Sequence, residues 1–261
     1  MKIALVDSGV GLLAAAAAVR AARPDADLVL SNDPDGMPWG PRGSQDIAER
    51  ALTCARAAAQ HQPQALIIAC NTASVHGLPT VRAQLEPGIP VIGTVPAVKP
   101  AAAGGGTVAI WATPATTGSP YQRRLIEEFG NGAKITEVPC HGLADAVERG
   151  DEEAIDQAIA AAAALTPAGV RAVVLGCTHY ELVRARIEHA VRTPGHPPVA
   201  LHGSARAVTA QALRRIAPEA AERRGQGELT VLHGGRPGRL PELVGRYAEG
   251  RALLSPDSLI S

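Results

Sequence analysis

"AVVLGCTHYE", residues 172–181, sets four aliphatic side chains and a glycine before a thiol, a hydroxyl and an imidazole in succession. The apolar run contains two valines, is too short for a helix and stops at Gly176, so it reads as a buried strand running out into a loop. "ALIIACNTAS", residues 65–74, follows the same plan: four aliphatics, a small residue, Cys70, then Asn71 and Thr72. A second pair, "IALVDSGVG" (3–11) and "VAIWATPATT" (108–117), recurs at a similar offset, each a strand ending in small polar residues. Any one pair is what βα loops commonly look like. Two pairs at nearly the same separation favour an internal duplication.

The rest of the chain agrees with that pattern. Short runs at 2–6, 27–31, 65–69, 90–93, 107–112, 134–138, 171–176, 198–202 and 229–233 read as strands. Helix-compatible stretches lie between them, at 11–22, 44–60, 74–85, 118–129, 141–148, 152–164, 180–192 and 204–216. Such alternation predicts an α/β protein with mainly parallel, buried strands. The duplication predicts two pseudo-symmetric domains joined through the Gly-, Pro- and Ala-rich segment "PAVKPAAAGGG" (96–106), which reads as a linker. The second domain is expected over 99–211. The first is expected over 1–98, with 212–261, too small to fold alone, packing back as a C-terminal return.

Bulk composition narrows the function. The 261 residues carry 25 basic and 25 acidic side chains, so no global field draws in nucleic acid or an anionic membrane. Aromatics at 2% leave few rings for stacking on bases. The early run "GLLAAAAAV" (11–19) follows Asp7 and Ser8 and precedes Arg20, which does not fit a secretory leader, and no apolar run reaches the length of a membrane span. A cytoplasmic protein with no nucleic-acid or membrane partner is expected. Cys54, Cys70, Cys140 and Cys177 form no CxxC pair, and that compartment argues against disulfides.

Open α/β sheets bind ligands beyond the carboxyl ends of their strands. Four such ends carry reactive chemistry: Asp7-Ser8, Cys70-Asn71-Thr72, Thr113 to Thr117, and Cys177-Thr178-His179. A thiol between a strand and a helix start meets unpaired backbone N–H groups and a dipole field that lowers its pKa, which suits a nucleophile or a proton-transfer base. The alternative for any single cysteine is inert burial, and that fits Cys54 in the helix-like "ALTCARAAA". Two equivalent thiols suggest something more specific. Facing one carbon from opposite sides, one removes a proton and the other returns one, inverting a stereocentre. Of three lysines, Lys99 falls in the linker segment, which gives little support for a pyridoxal Schiff base.

"DSGVG" (7–11), "PWG" (38–40), "CNTAS" (70–74), "GTVPAVKPA" (93–101) and "GCTHY" (176–180) resemble the motifs of the glutamate racemase family of cofactor-independent amino-acid racemases, in family order. The resemblance implies two α/β domains with the active site in the cleft between them, no cofactor, and interconversion of L- and D-glutamate for peptidoglycan. It further implies Cys70 and Cys177 as the catalytic thiols, Asp7 as the polar partner on the Cys70 side, and His179 with Glu148 assisting Cys177. Ser8, Asn71, Thr72, Thr116 and Thr178, with the backbone at Trp39 and Gly40, would hold the substrate.

Elementary chemistry fits those roles. An amino acid's α-proton is a very weak acid, so the carbanionic transition state needs focused electrostatic stabilisation from N–H and hydroxyl donors. His179 can hydrogen-bond a thiol or act as an acid. Glu148 also fits a solvated helix end, and Asp7 a simple helix cap. Cys140 and His141 are expected to be structural, and the remaining histidines show no ligand spacing, so no metal site is expected.

The sequence departs from the family pattern at several places. Leu12 replaces a glycine, Trp39 stands where tyrosine is typical, Gly43 reads as an insertion and Gly118 replaces a larger residue. Glu181 occupies a common proline position, and Gly203 stands where aspartate is frequent. Aspartate or another small amino acid therefore remains open as substrate, as does a non-catalytic anion-binding role for "DSGVG". A homodimer is also left open. A zinc site from Cys70, Cys177 and His179 is disfavoured because metal would quench both bases.

Overall fold

A computed structural model describes residues 1–222 and 224–254 and divides the chain into two compact units. The first comprises residues 1–95 with the described part of 205–261, and the second residues 96–204. Its strands, numbered along the chain, are β1 (Lys2–Asp7), β2 (Asp27–Asn32), β3 (Ala65–Ile68), β4 (Val91–Gly93), β5 (Thr107–Ala112), β6 (Lys134–Pro139), β7 (Ala172–Leu175), β8 (Ala200–His202), β9 (Leu229–His233) and β10 (Arg236–Pro237).

In the first unit the strand order is β10-β9-β2-β1-β3-β4, and in the second β6-β5-β7-β8. Every pairing is parallel except β10 with β9. The segment 2-1-3-4 of the first sheet thus has the order of the whole second sheet, with β5 standing for β1 and β7 for β3. Parallel strands covered on both faces read as continuous apolar runs. Ile3 to Val6, Leu66 to Ala69 and Val173 to Leu175 are indeed fully or nearly fully buried.

Both sheets change winding direction at one place. β1 is followed by its neighbour on one side and β3 by its neighbour on the other, so the β1 and β3 ends flank a topological switch point, where such sheets bind ligands. β5 and β7 flank the corresponding point of the second unit. The loops after these four strands are the four singled out by residue type.

The structure corrects several boundaries. The segment 96–106 is not a bare linker: Val98–Ala102 is helical, with Val98 and Ala101 in the core of the second unit and Ala102 also buried. The helix Ala205–Arg215, which the expected boundary at 211/212 would cut, packs on β3 and β4 and belongs to the first unit. The helix expected over 74–85 is two, Asn71–His76 and Leu78–Leu85, broken at Gly77. That expected over 180–192 is likewise two, Thr178–Glu181 and Arg184–Val191.

The C-terminal return adds β9 to the outer edge of β2 and packs the helix Ala248–Leu254 against the helix Leu13–Ala22. Arg20 pins the junction from inside. Its guanidinium is buried and donates to the carbonyls of Pro24, Ala26 and Gly227 at 2.8, 2.7 and 2.8 Å.

Candidate active site

The two thiols occupy equivalent places in the backbone. Cys70 lies just past β3 at φ −136°, ψ 124°, immediately before the helix Asn71–His76. Cys177 lies just past β7 at φ −138°, ψ 137°, immediately before the helix Thr178–Glu181. Both are extended residues at an N-cap position, and each is followed by first-turn N–H groups without an intrahelical carbonyl to bind. The helices are only 6 and 4 residues long, so local N–H groups rather than a long macrodipole supply the field expected there. Cys70 is 7% exposed; Cys177 is partly exposed.

Gly176 shapes the second of these loops. A Cβ there would stand 2.8 Å from the Trp111 carbonyl oxygen, which accepts the Gly176 N–H at 2.7 Å. Only glycine lets the loop lie this close to β5.

Around Cys177 the expected partners converge. His179 Nδ1 is 3.8 Å from Cys177 Sγ, and His179 Nε2 is 2.7 Å from Glu148 Oε2. Glu148, from the helix Leu143–Arg149, is largely buried rather than a solvated helix end, with its side chain 14% exposed. Burial alone would push the His179 imidazole down, but its hydrogen bonds to Cys177 and Glu148 outweigh this and hold its pKa well above the ordinary value. The geometry is a thiol–imidazole–carboxylate relay. Thr178 is buried beside it.

In the first unit Asp7 is fully buried at the end of β1, and its Oδ1 accepts from the Ser8 N–H at 2.7 Å and the Ser8 hydroxyl at 3.4 Å. Asn71, buried, and Thr72, half-buried, open the helix after Cys70. Thr116 lies in the turn after β5, with its hydroxyl 3.2 Å from that of Thr113.

For Trp39 the expectation concerned the backbone, and its side chain turns inward. Its side chain is 1% exposed and part of the first hydrophobic core, so only its backbone and that of half-buried Gly40 could face a ligand. Sequence reasoning passed over the residue that holds this loop. Asp33 Oδ1 accepts from the Gly36 N–H at 3.1 Å, while Oδ2 accepts from Trp39 Nε1 at 3.0 Å and Arg50 Nη1 at 2.9 Å. An aspartate just beyond a strand end and before a proline, as in "SNDPDG", was the available signal.

Cys54 and Cys140 separate cleanly from the other two thiols. Burial, reinforced by the Asp33 carboxylate for Cys54 and by the Cys177 thiol for Cys140, pushes both up to about 12. Neither ionises near neutrality. Among the described residues no cluster of three or more His, Cys, Asp or Glu side chains is placed to hold a metal ion. Among the same residues no helix is long and apolar enough to cross a membrane.

Comparison with known proteins places this arrangement. The sequence pattern of the Asp/Glu/hydantoin racemases matches residues 10–224. The chain belongs to that family. Curated racemase relatives include the glutamate racemase of Pseudomonas putida, 35% identical over 187 residues that cover 70% of each chain. That of Proteus mirabilis is 36% identical over 193 residues, covering 71% of this chain and 67% of the other. Among solved racemase structures, Escherichia coli glutamate racemase in complex with L-glutamate and the activator UDP-MurNAc-Ala matches with a TM-score of 0.78. It is 27% identical, with 88% of this chain and 87% of that one covered. Family membership agrees with the resemblance carried by "CNTAS" and "GCTHY", and with the mainly parallel α/β architecture.

Proposed function

We propose that this protein is a glutamate racemase that interconverts the L and D enantiomers by proton transfer at Cα, with Cys70 and Cys177 as the two bases. The observation that carries the reading is the equivalence of the thiols: each follows the corresponding strand of a like-ordered sheet, with nearly the same φ and ψ. The curated glutamate racemases support glutamate as the substrate, as does the Escherichia coli relative described in complex with L-glutamate.

The chemistry balances as two half-steps. A thiolate takes the α-proton and becomes a thiol, leaving the electron pair on a planar carbanion. The opposite thiol gives its proton to the other face and becomes the thiolate. The enzyme thus finishes with its two protonation states exchanged and needs no cofactor. Donors held in place stabilise the developing charge on the α-carboxylate better than water, because they do not reorganise as it forms. Ser8, Asn71, Thr72, Thr116 and Thr178, with the backbone at Trp39 and Gly40, are assigned to hold the substrate's polar groups. Asp7 is assigned to the Cys70 side. His179, kept protonated by Glu148, lies against Cys177 and steadies its thiolate. D-Glutamate made this way in the cytoplasm would serve peptidoglycan synthesis, and neither nucleic acid nor membrane enters the reaction.

The test is racemisation of each enantiomer in D2O without added cofactor, over a panel that includes aspartate. Deuterium should appear at Cα of glutamate, and Cys70→Ser and Cys177→Ser should each abolish racemisation. Near-normal turnover in either variant would overturn the assignment.

A further inference from the structure

We propose that Ser74 and Glu181 are equivalent positioning residues, each latching one thiol loop to the end of the neighbouring parallel strand. The inference rests on the two-thiol reading above and extends it to residues that the reading gives no part in binding or proton transfer.

Both side chains lie one helical turn beyond their cysteine, and both meet the residue after a strand-end glycine. The Thr94 N–H donates to Ser74 Oγ at 2.9 Å, and the Thr94 hydroxyl is 3.0 Å from the same oxygen. The Ser204 N–H donates to Glu181 Oε1 at 2.8 Å, and the Ser204 hydroxyl donates to it at 3.0 Å. Thr94 follows Gly93, the last residue of β4, and Ser204 follows Gly203, the first residue beyond β8. β4 is the neighbour of β3, and β8 the neighbour of β7. One backbone N–H and one hydroxyl converge on one oxygen in each unit. The sequence duplication did not announce this, because serine and glutamate share no side-chain chemistry beyond an accepting oxygen.

The first latch also grips its own strand. Ser74 Oγ donates to the Ile68 carbonyl at 3.2 Å, while the Ser74 N–H donates to the Cys70 carbonyl at 2.9 Å. A hydroxyl has one proton to donate and two lone pairs, and all three are committed if Thr94 supplies both of its hydrogens. Thr94 and Ser204 are 1% and 3% exposed, so no bulk water replaces a lost partner.

The glycines are part of the device. A Cβ at position 203 would stand 2.2 Å from Glu181 Oε2, and one at 93 would stand 3.2 Å from Ser74 Oγ and 2.6 Å from Leu78 Cδ2. Two departures from the family pattern, Glu181 for proline and Gly203 for aspartate, therefore belong together: in its present pose the glutamate carboxylate occupies the space that a side chain at residue 203 would fill. A thiol aimed at a proton in flight tolerates little displacement, since about 1 Å of misplacement costs on the order of 100-fold in rate.

The experiment uses the enantiomers of 3-chloroglutamate alongside glutamate. After one thiolate removes the α-proton, the electron pair forms a Cα=Cβ bond and chloride leaves. The enamine then tautomerises and hydrolyses to 2-oxoglutarate and ammonium. Only one thiol is needed, so each enantiomer reports on a single sulfur, and Cys70→Ser and Cys177→Ser establish which. Ser74→Ala should slow elimination about 10- to 100-fold for the enantiomer lost in Cys70→Ser and leave the other within about twofold. Glu181→Ala should do the converse. Ser74→Thr and Glu181→Gln, which keep the accepting oxygen, should restore most of the rate. Gly203→Ala should match Glu181→Ala and add nothing in its background. Should Ser74→Ala or Glu181→Ala fail to fold, Thr94→Val and Ser204→Ala remove the hydroxyl half of each latch from the other side. If the latch variants slow both enantiomers alike, or neither, while the cysteine variants still sort them, the latch proposal is wrong. If the cysteine variants themselves do not sort the enantiomers, the two-thiol reading fails instead.

Discussion

Replacing Glu148 by glutamine keeps the shape of the relay and removes its charge. The carboxylate accepts from His179 at 2.7 Å, with side-chain exposures of 14% and 9% at its two ends, so solvent screens the pair only weakly. A hydrogen bond to a charged group in such surroundings contributes about 1.5–3 kcal/mol. At about 1.4 kcal/mol per tenfold in rate, kcat/KM for glutamate should fall about 10- to 100-fold if the imidazolium works only when held against Cys177. Because Glu148 lies behind His179, kcat should carry the loss and KM should move little.

The pH dependence gives an independent reading of the same pair. His179 has a folded-state pKa above the ordinary imidazole value of 6.5. Its stabilisation is therefore complete at pH below that ordinary value and is lost as pH rises through the higher folded one. Glu148→Gln should lower the folded pKa, shift the alkaline limb of kcat to lower pH and flatten the loss of stability on the alkaline side. Polarimetry of racemisation across pH, with urea unfolding midpoints on both sides of neutrality, measures both effects. An unchanged kcat with an unmoved alkaline limb would refute the relay, as would an equal further loss from Glu148→Gln in a His179→Asn background.

Three other outcomes follow from the packing. Cys54→Ala and Cys140→Ala should leave turnover within about threefold, and iodoacetamide should spare both cysteines in the native protein, since buried thiols raised to about 12 stay protonated; peptide mass mapping reads the labelling. Arg20→Ala strips the carbonyls of Pro24, Ala26 and Gly227, the last two buried, of their donor and should cost about 2–4 kcal/mol in urea unfolding, with the Cys70 loop intact in the folded fraction. Gly176→Ala forces a methyl to 2.8 Å from the Trp111 carbonyl oxygen; it should cost about 1–3 kcal/mol and lower kcat by displacing Cys177, whereas wild-type kcat would show that the loop does not depend on this approach.

Composition and periodicity alone determined the class of fold. Short apolar runs alternating with helix-compatible stretches read as parallel strands covered on both faces, and the doubled strand–cysteine–hydroxyl pattern marks two like sheets with a thiol after the third strand of each. These features are local, carried by residues adjacent in sequence, and so they are legible there.

What the tertiary structure decided is which distant groups meet. Glu148 reaches His179 because the helix Leu143–Arg149 packs beside the Cys177 loop; residue pattern alone leaves it one more charge at a helix end, and only the family resemblance pointed to it. Asp33 grips Trp39 and Arg50 across a loop, and Glu181 finds Ser204 because β8 lies beside β7. The helix Ala205–Arg215 joined the first unit because its apolar face fits β3 and β4, although the expected boundary split it. Side-chain hydrogen bonds depend on ångström-scale placement by packing between elements, and no residue pattern along the chain encodes that distance.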